Sequence, residues 1–302
     1  MTEAQEKKPS LLIIGSRYHV KRTVRDLKEE GRKLFGEVLF VPVTKIKAYI
    51  NNGKAELRFK GRSLLEFDAC YPRLSSKDFV LAEAILRIIE DSGMYSPVSV
   101  RGFLISNHKY YTVKELCDAG IPVVGSGLFI SPETAKKKIS SFPVVVKKIS
   151  GFAGKGVVLV NDSTQFGSIL DTMHLLDEFL STQEFVPEKN TDIRCFVLGD
   201  KVIAVRRTGR QGEWRANVSR GGKATVVEAT DEMREIALKS AKVMHMEICA
   251  VDMIETRDGL KVIEVNFMPG PFSAFLGPLV PREMVEFIYR RFAREMLLPA
   301  EA

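Results

Sequence analysis

The pattern of apolar and polar positions divides the chain into two regimes. From residue 10 to residue 100, short apolar runs alternate with helical periodicity. Leu11 to Gly15 reads as a buried strand, Val20 to Phe35 as a helix, Val38 to Pro42 as a second strand and Phe79 to Ser92 as a second helix. Strand, helix, strand implies a small α/β unit with parallel pairing. Ala55 to Phe59, Gly61 and Phe67 to Tyr71 add short strands, the last ending in a loop at Tyr71-Pro72-Arg73. Loops at the carboxyl ends of parallel strands commonly face ligands. A connecting helix over Lys109 to Ala119, closed by Gly120 and Pro122, marks a domain boundary.

From Pro143 the period becomes that of antiparallel hairpins. Val144 to Ile149 and Val157 to Val160 flank a glycine-rich loop, and Arg194 to Leu198 and Lys201 to Arg206 flank a Gly199-Asp200 turn. A helix over Asp231 to Met246, with Thr230 as N-cap, precedes a last hairpin, Ile248 to Ile254 and Leu260 to Asn266. There is no internal repeat and no low-complexity tract.

Composition narrows the class. At 302 residues, 45% hydrophobic and 27% charged, the chain is an ordinary globular protein, and no apolar run approaches the roughly 20 residues that span a bilayer. Disordered, fibrous and membrane-spanning chains are excluded. The polar stretch Met1 to Pro9 and the short apolar run Leu11 to Ile14 do not form a secretion signal, so a cytoplasmic protein is expected. Cys70, Cys117, Cys195 and Cys249 are too widely spaced for a metal knuckle or a disulfide framework and read as buried thiols in a reducing compartment. The net charge of +7 favours anionic partners, and Arg206 to Lys223 should carry a local positive field, with six basic residues and one acid, Glu213.

Candidate chemistry gathers in the second half. Ser150-Gly151-Phe152-Ala153-Gly154-Lys155-Gly156 has three glycines that would let backbone N–H groups approach phosphate oxygens. It has neither P-loop nor dinucleotide spacing, and taken alone such a loop is more often a plain hairpin connection. Lys147 and Lys148 project to opposite faces of their strand, so at most one meets a ligand, and Lys147 is the candidate. In the last hairpin Glu264 and Asn266 share a face. A loop at Arg257-Asp258-Gly259 would pair 256 with 260 and set Asp252 opposite Glu264. Two such carboxylates repel unless a cation lies between them, and hard oxygen donors suit Mg²⁺ or Mn²⁺; an exposed sheet face would solvate them instead. Gln183-Glu184-Phe185-Val186-Pro187-Glu188 offers backbone groups to an adenine edge and acids to ribose hydroxyls, although acids after a strand are mostly solvated. Asp192-Ile193-Arg194, Arg206-Arg207, Asn217 and Arg220 supply planar donors for anions or, equally, a basic solvated face.

In their order and spacing these segments resemble the ATP-grasp ligases, and among them the RimK-type group that attaches glutamate or a related amino acid to a carboxylate. The likeness runs through Asn107-His108-Lys109, Pro143 to Val158, Gln183 to Val186, Asp192 to Cys195, Asn217 to Gly222, Val251-Asp252-Met253 and Glu264-Val265-Asn266 with Pro269-Gly270, and Tyr71-Pro72-Arg73 extends it towards the N-terminus. Two departures are Phe267-Met268, where the family commonly has small residues, and His108, where it commonly has an acid.

The resemblance implies an α/β fold, α+β in its C-terminal part: an N-terminal parallel-sheet domain (1–106), an ATP-grasp central subdomain with the glycine loop (107–187) and a C-terminal subdomain with the metal site (188–302), two sheets clamping ATP. It implies that Lys109, Lys147, Gly151, Gly154, Gly156, Glu184, Phe185, Val186, Glu188 and Asp192 bind ATP. Asp252, Glu264 and Asn266 would hold two Mg²⁺ or Mn²⁺ ions, and Arg194, Arg207, Asn217 and Arg220 would face the transferred phosphoryl group and the carboxylate substrates. The implied reaction passes the γ-phosphoryl group to a carboxylate, and an amine then displaces phosphate from the acyl-phosphate. The partners would be a small amino acid, with glutamate foremost, and a carboxylate acceptor on a protein tail or small molecule. A carrier protein or a pterin or deazaflavin coenzyme tail is the alternative acceptor. A nucleotide-binding regulator that contacts nucleic acid is the reading from another class; the acids of the last hairpin disfavour it. No membrane partner is expected, and a homo-oligomer is compatible with the sequence.

Overall fold

Leu11, Leu12, Ile13 and Ile14 are all fully buried, so β1 (Ser10–Gly15) is covered on both faces, as a continuous apolar run in a parallel sheet requires. The computed structural model describes residues 8–17, 20–149, 156–176, 178–187, 190–216, 221–270 and 272–297. β1 runs parallel to β2 (Glu37–Pro42), joined to it by α1 (Lys21–Leu34). β3 (Lys47–Asn51), which the sequence reading missed, pairs with β4 (Lys54–Phe59) and β5 (Arg62–Ser63) in a small antiparallel sheet. Gly61, expected in a strand, is instead a turn residue at φ +83°. β6 (Ala69–Arg73) then returns on the other side of β1. Tyr71-Pro72-Arg73, expected as a loop, is therefore strand, paired with Ile13, Ile14 and Gly15 and buried.

α2 (Phe79–Asp91), α3 (Val100–Ser106) and α4 (Lys109–Asp118) lead into the second half. The His108 ring nitrogen Nδ1 accepts the Tyr111 N–H at 3.1 Å and so caps α4, a task an acid at that position would also perform. Cys117 lies exposed on α4, against expectation, because it falls on the helix's outer side. The other cysteines are buried, and burial pushes the Cys195 and Cys249 thiols up to about 12.

Four strands build the next sheet: β7 (Ser126–Phe129), β8 (Val144–Lys148), β9 (Val157–Val160) and β10 (Leu180–Glu184), in the order β7-β10-β8-β9. One face carries α5 (Pro132–Lys138) and α6 (Ser163–Leu175). Strand alternation sends Val144 and Val146 into that helical layer with Phe166 and Leu170, which turns Val145 and Lys147 to the opposite face.

The last sheet comprises β11 (Thr191–Leu198), β12 (Lys201–Thr208), β13 (Lys223–Val227), β14 (Ile248–Thr256) and β15 (Gly259–Asn266), ordered β13-β12-β11-β14-β15. Ile193, Cys195 and Val197 of β11 pack with α7 (Asp231–Val243), and Phe196 and Leu198 point the other way. There they meet α8 (Ser273–Leu276) and α9 (Leu279–Leu297), which also pack on α1. Phe267 stands edge-on to Phe103, ring centres 4.9 Å apart, so the first of the two unusual residues before Pro269 fills the core beneath α3. Among the described residues no helix is long and apolar enough to cross a membrane.

Candidate active site

The two antiparallel sheets meet along β15. Val262 accepts from the Val124 amide through its carbonyl at 3.1 Å and donates to the Pro122 carbonyl at 2.8 Å, and Gln183 Nε2 donates to the Ile263 carbonyl at 3.3 Å. A cavity of about 370 Å³ opens between them. Val124, Val145, Val157, Ile254 and Ile263 give it apolar walls, and the Phe185 and Trp214 rings meet edge to face in its lining. The ladder of β10 ends at Glu184, so the peptide groups of 185–187 lie outside the sheet pairing.

Opposite charges share the rest of the lining. Lys147 is buried and its ammonium donates to Gln183 Oε1, and Lys148 turns away to Glu178. Burial pushes the Lys147 ammonium down to about 8; Lys109 adds to the fall, and Glu264 and Asp252 oppose it. Lys109 Nζ lies 3.7 Å from Glu264. Burial works against the charged form of Glu264, yet Lys109, Lys147, Arg194 and the Asn266 amide outweigh it and hold this carboxyl well below the usual carboxylate range.

Asp252 sits opposite Glu264, but by a different route from the one the sequence suggested. The turn is tighter: Thr256 pairs with Gly259, one residue short of the expected register, and a bulge between Asp252 and Met253 restores the offset. Arg194 forks both Asp252 oxygens at 2.6 Å, and Arg207 does the same to Asp192 while reaching Asp252 at 3.0 Å. Burial disfavours the charged form of Arg207, but Asp252 and Asp192 outweigh it and raise its proton affinity.

The structure thus brings Lys109, Lys147, Glu184, Phe185, Val186, Asp192, Arg207, Asp252, Glu264 and Asn266 around one cavity. Arg194 joins them through Asp252, and Gly156, at φ +70°, holds the Lys148 amide with its carbonyl behind Lys147. Gly151, Gly154, Glu188, Asn217 and Arg220 lie outside the described residues. Among the described residues no three His, Cys, Asp or Glu side chains form a metal cluster. The donor set is two carboxylates and an amide: Asn266 Nδ2 donates to Glu264 at 3.2 Å and to Asp252 at 3.5 Å, which leaves Oδ1 as a further oxygen donor. Such a sparse, hard set fits Mg²⁺, which commonly takes one or two carboxylates and completes its shell with phosphates and water.

The positive field expected over 206–223 is partly offset: two of its six basic residues meet acids from elsewhere in the chain and a third meets the stretch's own acid. Arg206 pairs with Glu255, Arg207 with Asp192 and Arg215 with Glu213. Trp214 was not anticipated, and Arg215 was counted only as one of the six basic residues of this stretch, yet both line the cavity. Arg215 Nη1 donates to the Val157 carbonyl at 3.1 Å, which ties the strand after the glycine loop to the last sheet. Trp214 had a signal, as the chain's single tryptophan within a basic stretch.

The RimK-like ATP-grasp domain matches residues 106–277. A "Probable alpha-L-glutamate ligase" of Vibrio cholerae is 33% identical over 286 residues, 92% of this chain and 94% of the relative, and one of Halorhodospira halophila is 33% identical over 82% of this chain. Among solved structures, a Chryseobacterium gregarium RiPP-associated ATP-grasp ligase, in complex with ADP and a leader and core peptide, superposes with a TM-score of 0.72 at 19% identity, covering 94% of this chain and 97% of that one. The Coxiella burnetii D-alanine-D-alanine ligase shares the fold at a TM-score of 0.71 and 16% identity, over 96% of this chain and 97% of that one. The chain belongs to the RimK-like ATP-grasp family and is an ATP-dependent ligase.

Proposed function

We propose that the protein joins the amine of L-glutamate to a carboxylate on a protein tail or small molecule by way of an acyl-phosphate. The observation that carries this reading is the meeting, in one cavity, of two lysines, the Asp252–Glu264 carboxylate pair and the guanidinium of Arg207. The names of the Vibrio and Halorhodospira relatives support glutamate as the amino acid. The peptide bound to the Chryseobacterium ligase supports a peptide-like acceptor over a coenzyme tail.

Phosphoryl transfer asks a protein mainly for positioning and charge neutralisation. Lys147 and Lys109 would bind the triphosphate, the apolar walls with Phe185 and Val186 would take the base, and Arg194 and Arg207 would orient the acid. Asp252, Glu264 and Asn266 would hold two Mg²⁺ or Mn²⁺ ions, which supply neutralisation of the phosphate charge. The units 1–106, 107–187 and 188–302 would divide substrate binding, base binding and metal holding between them. The pairing of Arg206, Arg207 and Arg215 with carboxylates weighs against a polyanion partner, since a paired guanidinium releases no counterion on binding nucleic acid.

The test is release of ADP and phosphate from ATP with Mg²⁺, L-glutamate and a panel of glutamate-ended peptides and small acids. Activity that requires both glutamate and a carboxylate is expected. Stoichiometric AMP and pyrophosphate would overturn the acyl-phosphate route.

A further inference from the structure

The two buried arginines of the described residues are treated in opposite ways. Arg207 has the carboxylates of Asp192 and Asp252. Arg73, 4% exposed at the end of β6, has none within ion-pair distance among the described residues. Its Nη1 donates to Tyr71 Oη at 3.3 Å and to the Pro269 carbonyl at 3.1 Å, and its guanidinium carbon lies 5.3 Å from the centre of the Phe272 ring. Nε and Nη2 have no acceptor among the described residues. A guanidinium keeps its charge at every working pH, and a buried charge without a counter-charge is costly, so such a group marks a place where a ligand completes the pair.

Its location fits a substrate. Arg73 ends a strand parallel to β1, the edge at which open α/β sheets take ligands. It reaches the Pro269-Gly270 turn that leaves the Glu264–Asn266 strand, and Arg194 reaches the same turn from the other sheet, Nη1 donating to the Gly270 carbonyl at 3.4 Å. Arg194 is the residue that forks Asp252. Room for Nη2 depends on glycine: a Cβ at position 270 would stand 3.2 Å from it.

We propose that Arg73 binds a carboxylate of one of the two organic substrates through Nε and Nη2, so that the N-terminal sheet supplies part of the substrate site; this rests on the ligase reading above. The carboxylate belongs either to the amino acid or to the acceptor, and the kinetics separate them. Rates of ADP release are measured at varied L-glutamate and at varied glutamate-ended peptide for wild type, Arg73→Gln, Arg73→Lys and Gly270→Ala, with ADP–Mg²⁺ affinity by calorimetry.

Arg73→Gln should raise the KM of one carboxylate substrate at least about tenfold, the scale of a lost charge-assisted hydrogen bond, with ADP affinity unchanged. Arg73→Lys should recover part of the loss. Gly270→Ala keeps the charge, crowds Nη2 and should move the same KM in the same direction. The substrate whose KM moves is the one that Arg73 holds. Unchanged KM values for both carboxylates in Arg73→Gln, or a fall in kcat and ADP affinity alone, would make Arg73 a clamp on the turn and overturn the assignment. Should Arg73→Gln not fold, Gly270→Ala decides by the same criterion. A wild type that releases no ADP with any carboxylate removes the ligase reading and this one together, whereas an active wild type with unmoved KM values removes only Arg73.

Discussion

Arg194 stands directly across from Asp252 on neighbouring strands, and its Nε and Nη2 each donate to a different carboxylate oxygen at 2.6 Å. Arg207 adds a third contact to the same carboxylate at 3.0 Å. Before any metal arrives, therefore, Asp252 is already neutralised by two guanidiniums, and Glu264 leans on Lys109 and Lys147. A metal that takes Asp252 must share it with Arg194 or displace it. Displacement would free a guanidinium beside the Pro269-Gly270 turn, where Arg194 already touches the Gly270 carbonyl.

Asp252→Asn should therefore have two consequences. Turnover should fall at least about a hundredfold, the usual scale for loss of a metal-binding charge. The fold should weaken as well, by up to about 3–5 kcal/mol, because the buried guanidinium of Arg207 and the partly buried one of Arg194 each lose a counter-charge. Glu264→Gln should match the first effect with a smaller second one, since the Glu264 side chain is 32% exposed. Rates at saturating Mg²⁺ and urea denaturation check both, and near-normal turnover would reduce the hairpin acids to a polar face.

Lys147 sets a pH dependence. Its folded-state value of about 8 lies below the 10.5 of a free lysine, so between these values the unfolded chain binds a proton that the folded chain has released. Stability should rise with pH through that window, the burial penalty on the charged ammonium being fully present below pH 8. Lys147→Met should abolish the rise and stabilise the protein at pH 7, by at most about 3–4 kcal/mol at 1.36 kcal/mol per pH unit. Nucleotide affinity should fall in the same variant, and in the wild type it should fall as pH rises past 8. Melting temperatures from pH 7 to 10 and ADP titrations measure the two effects; a flat stability profile would mean that Lys147 is solvated.

What could be read from the chain alone followed the range of each signal. Strand alternation is local, and it turned Lys147 to the cavity face and Lys148 away from it as expected. The facing of Asp252 and Glu264 came out as expected for a partly mistaken reason, because a tighter turn and a bulge cancel in register and no local residue pattern reports a bulge. Tyr71-Pro72-Arg73 looked like a loop because proline is rare in central strands, yet the outer edge of β6 bridges only at Ala69 among the described residues and tolerates it. The acid that neutralises Arg206, Glu255, lies 49 positions away, and the turn that receives Arg73 lies 196 away, separations at which composition and periodicity carry no information.

Trp214 offers an optical test of the cavity. As the chain's single tryptophan it lines the same space as Lys147 and Glu264, edge to face with Phe185 at 6.1 Å. Adding ADP with Mg²⁺ should change its emission through altered solvation of the indole and contact with the base. Trp214→Phe should remove the signal and weaken ADP binding by no more than about tenfold, the order of one aromatic contact. An emission spectrum indifferent to saturating ADP would place the nucleotide elsewhere.

Neighbouring arginines should behave in opposite ways. Arg206 pairs with Glu255 at the surface, its side chain 38% exposed and the acid's 49%, and such a pair contributes at most about 1 kcal/mol. Arg207 is 6% exposed and lies between Asp192 and Asp252. Truncating it leaves the buried carboxylate of Asp252 and the partly buried one of Asp192 without the cation they share, which should cost about 3–5 kcal/mol. Arg207→Ala is thus expected to lower stability as well as ligation, whereas Arg206→Ala should leave both near wild type. Arg207→Lys keeps a charge but cannot fork, so it should restore part of the stability and little of the ligation, since an ammonium lacks the planar donors with which Arg207 holds both Asp192 oxygens while reaching Asp252. Urea midpoints beside ligation rates for the three variants provide the check. If Arg206→Ala proves as damaging as Arg207→Ala, the stretch acts as a diffuse positive surface and the buried pairing around Asp252 is not what organises the cavity.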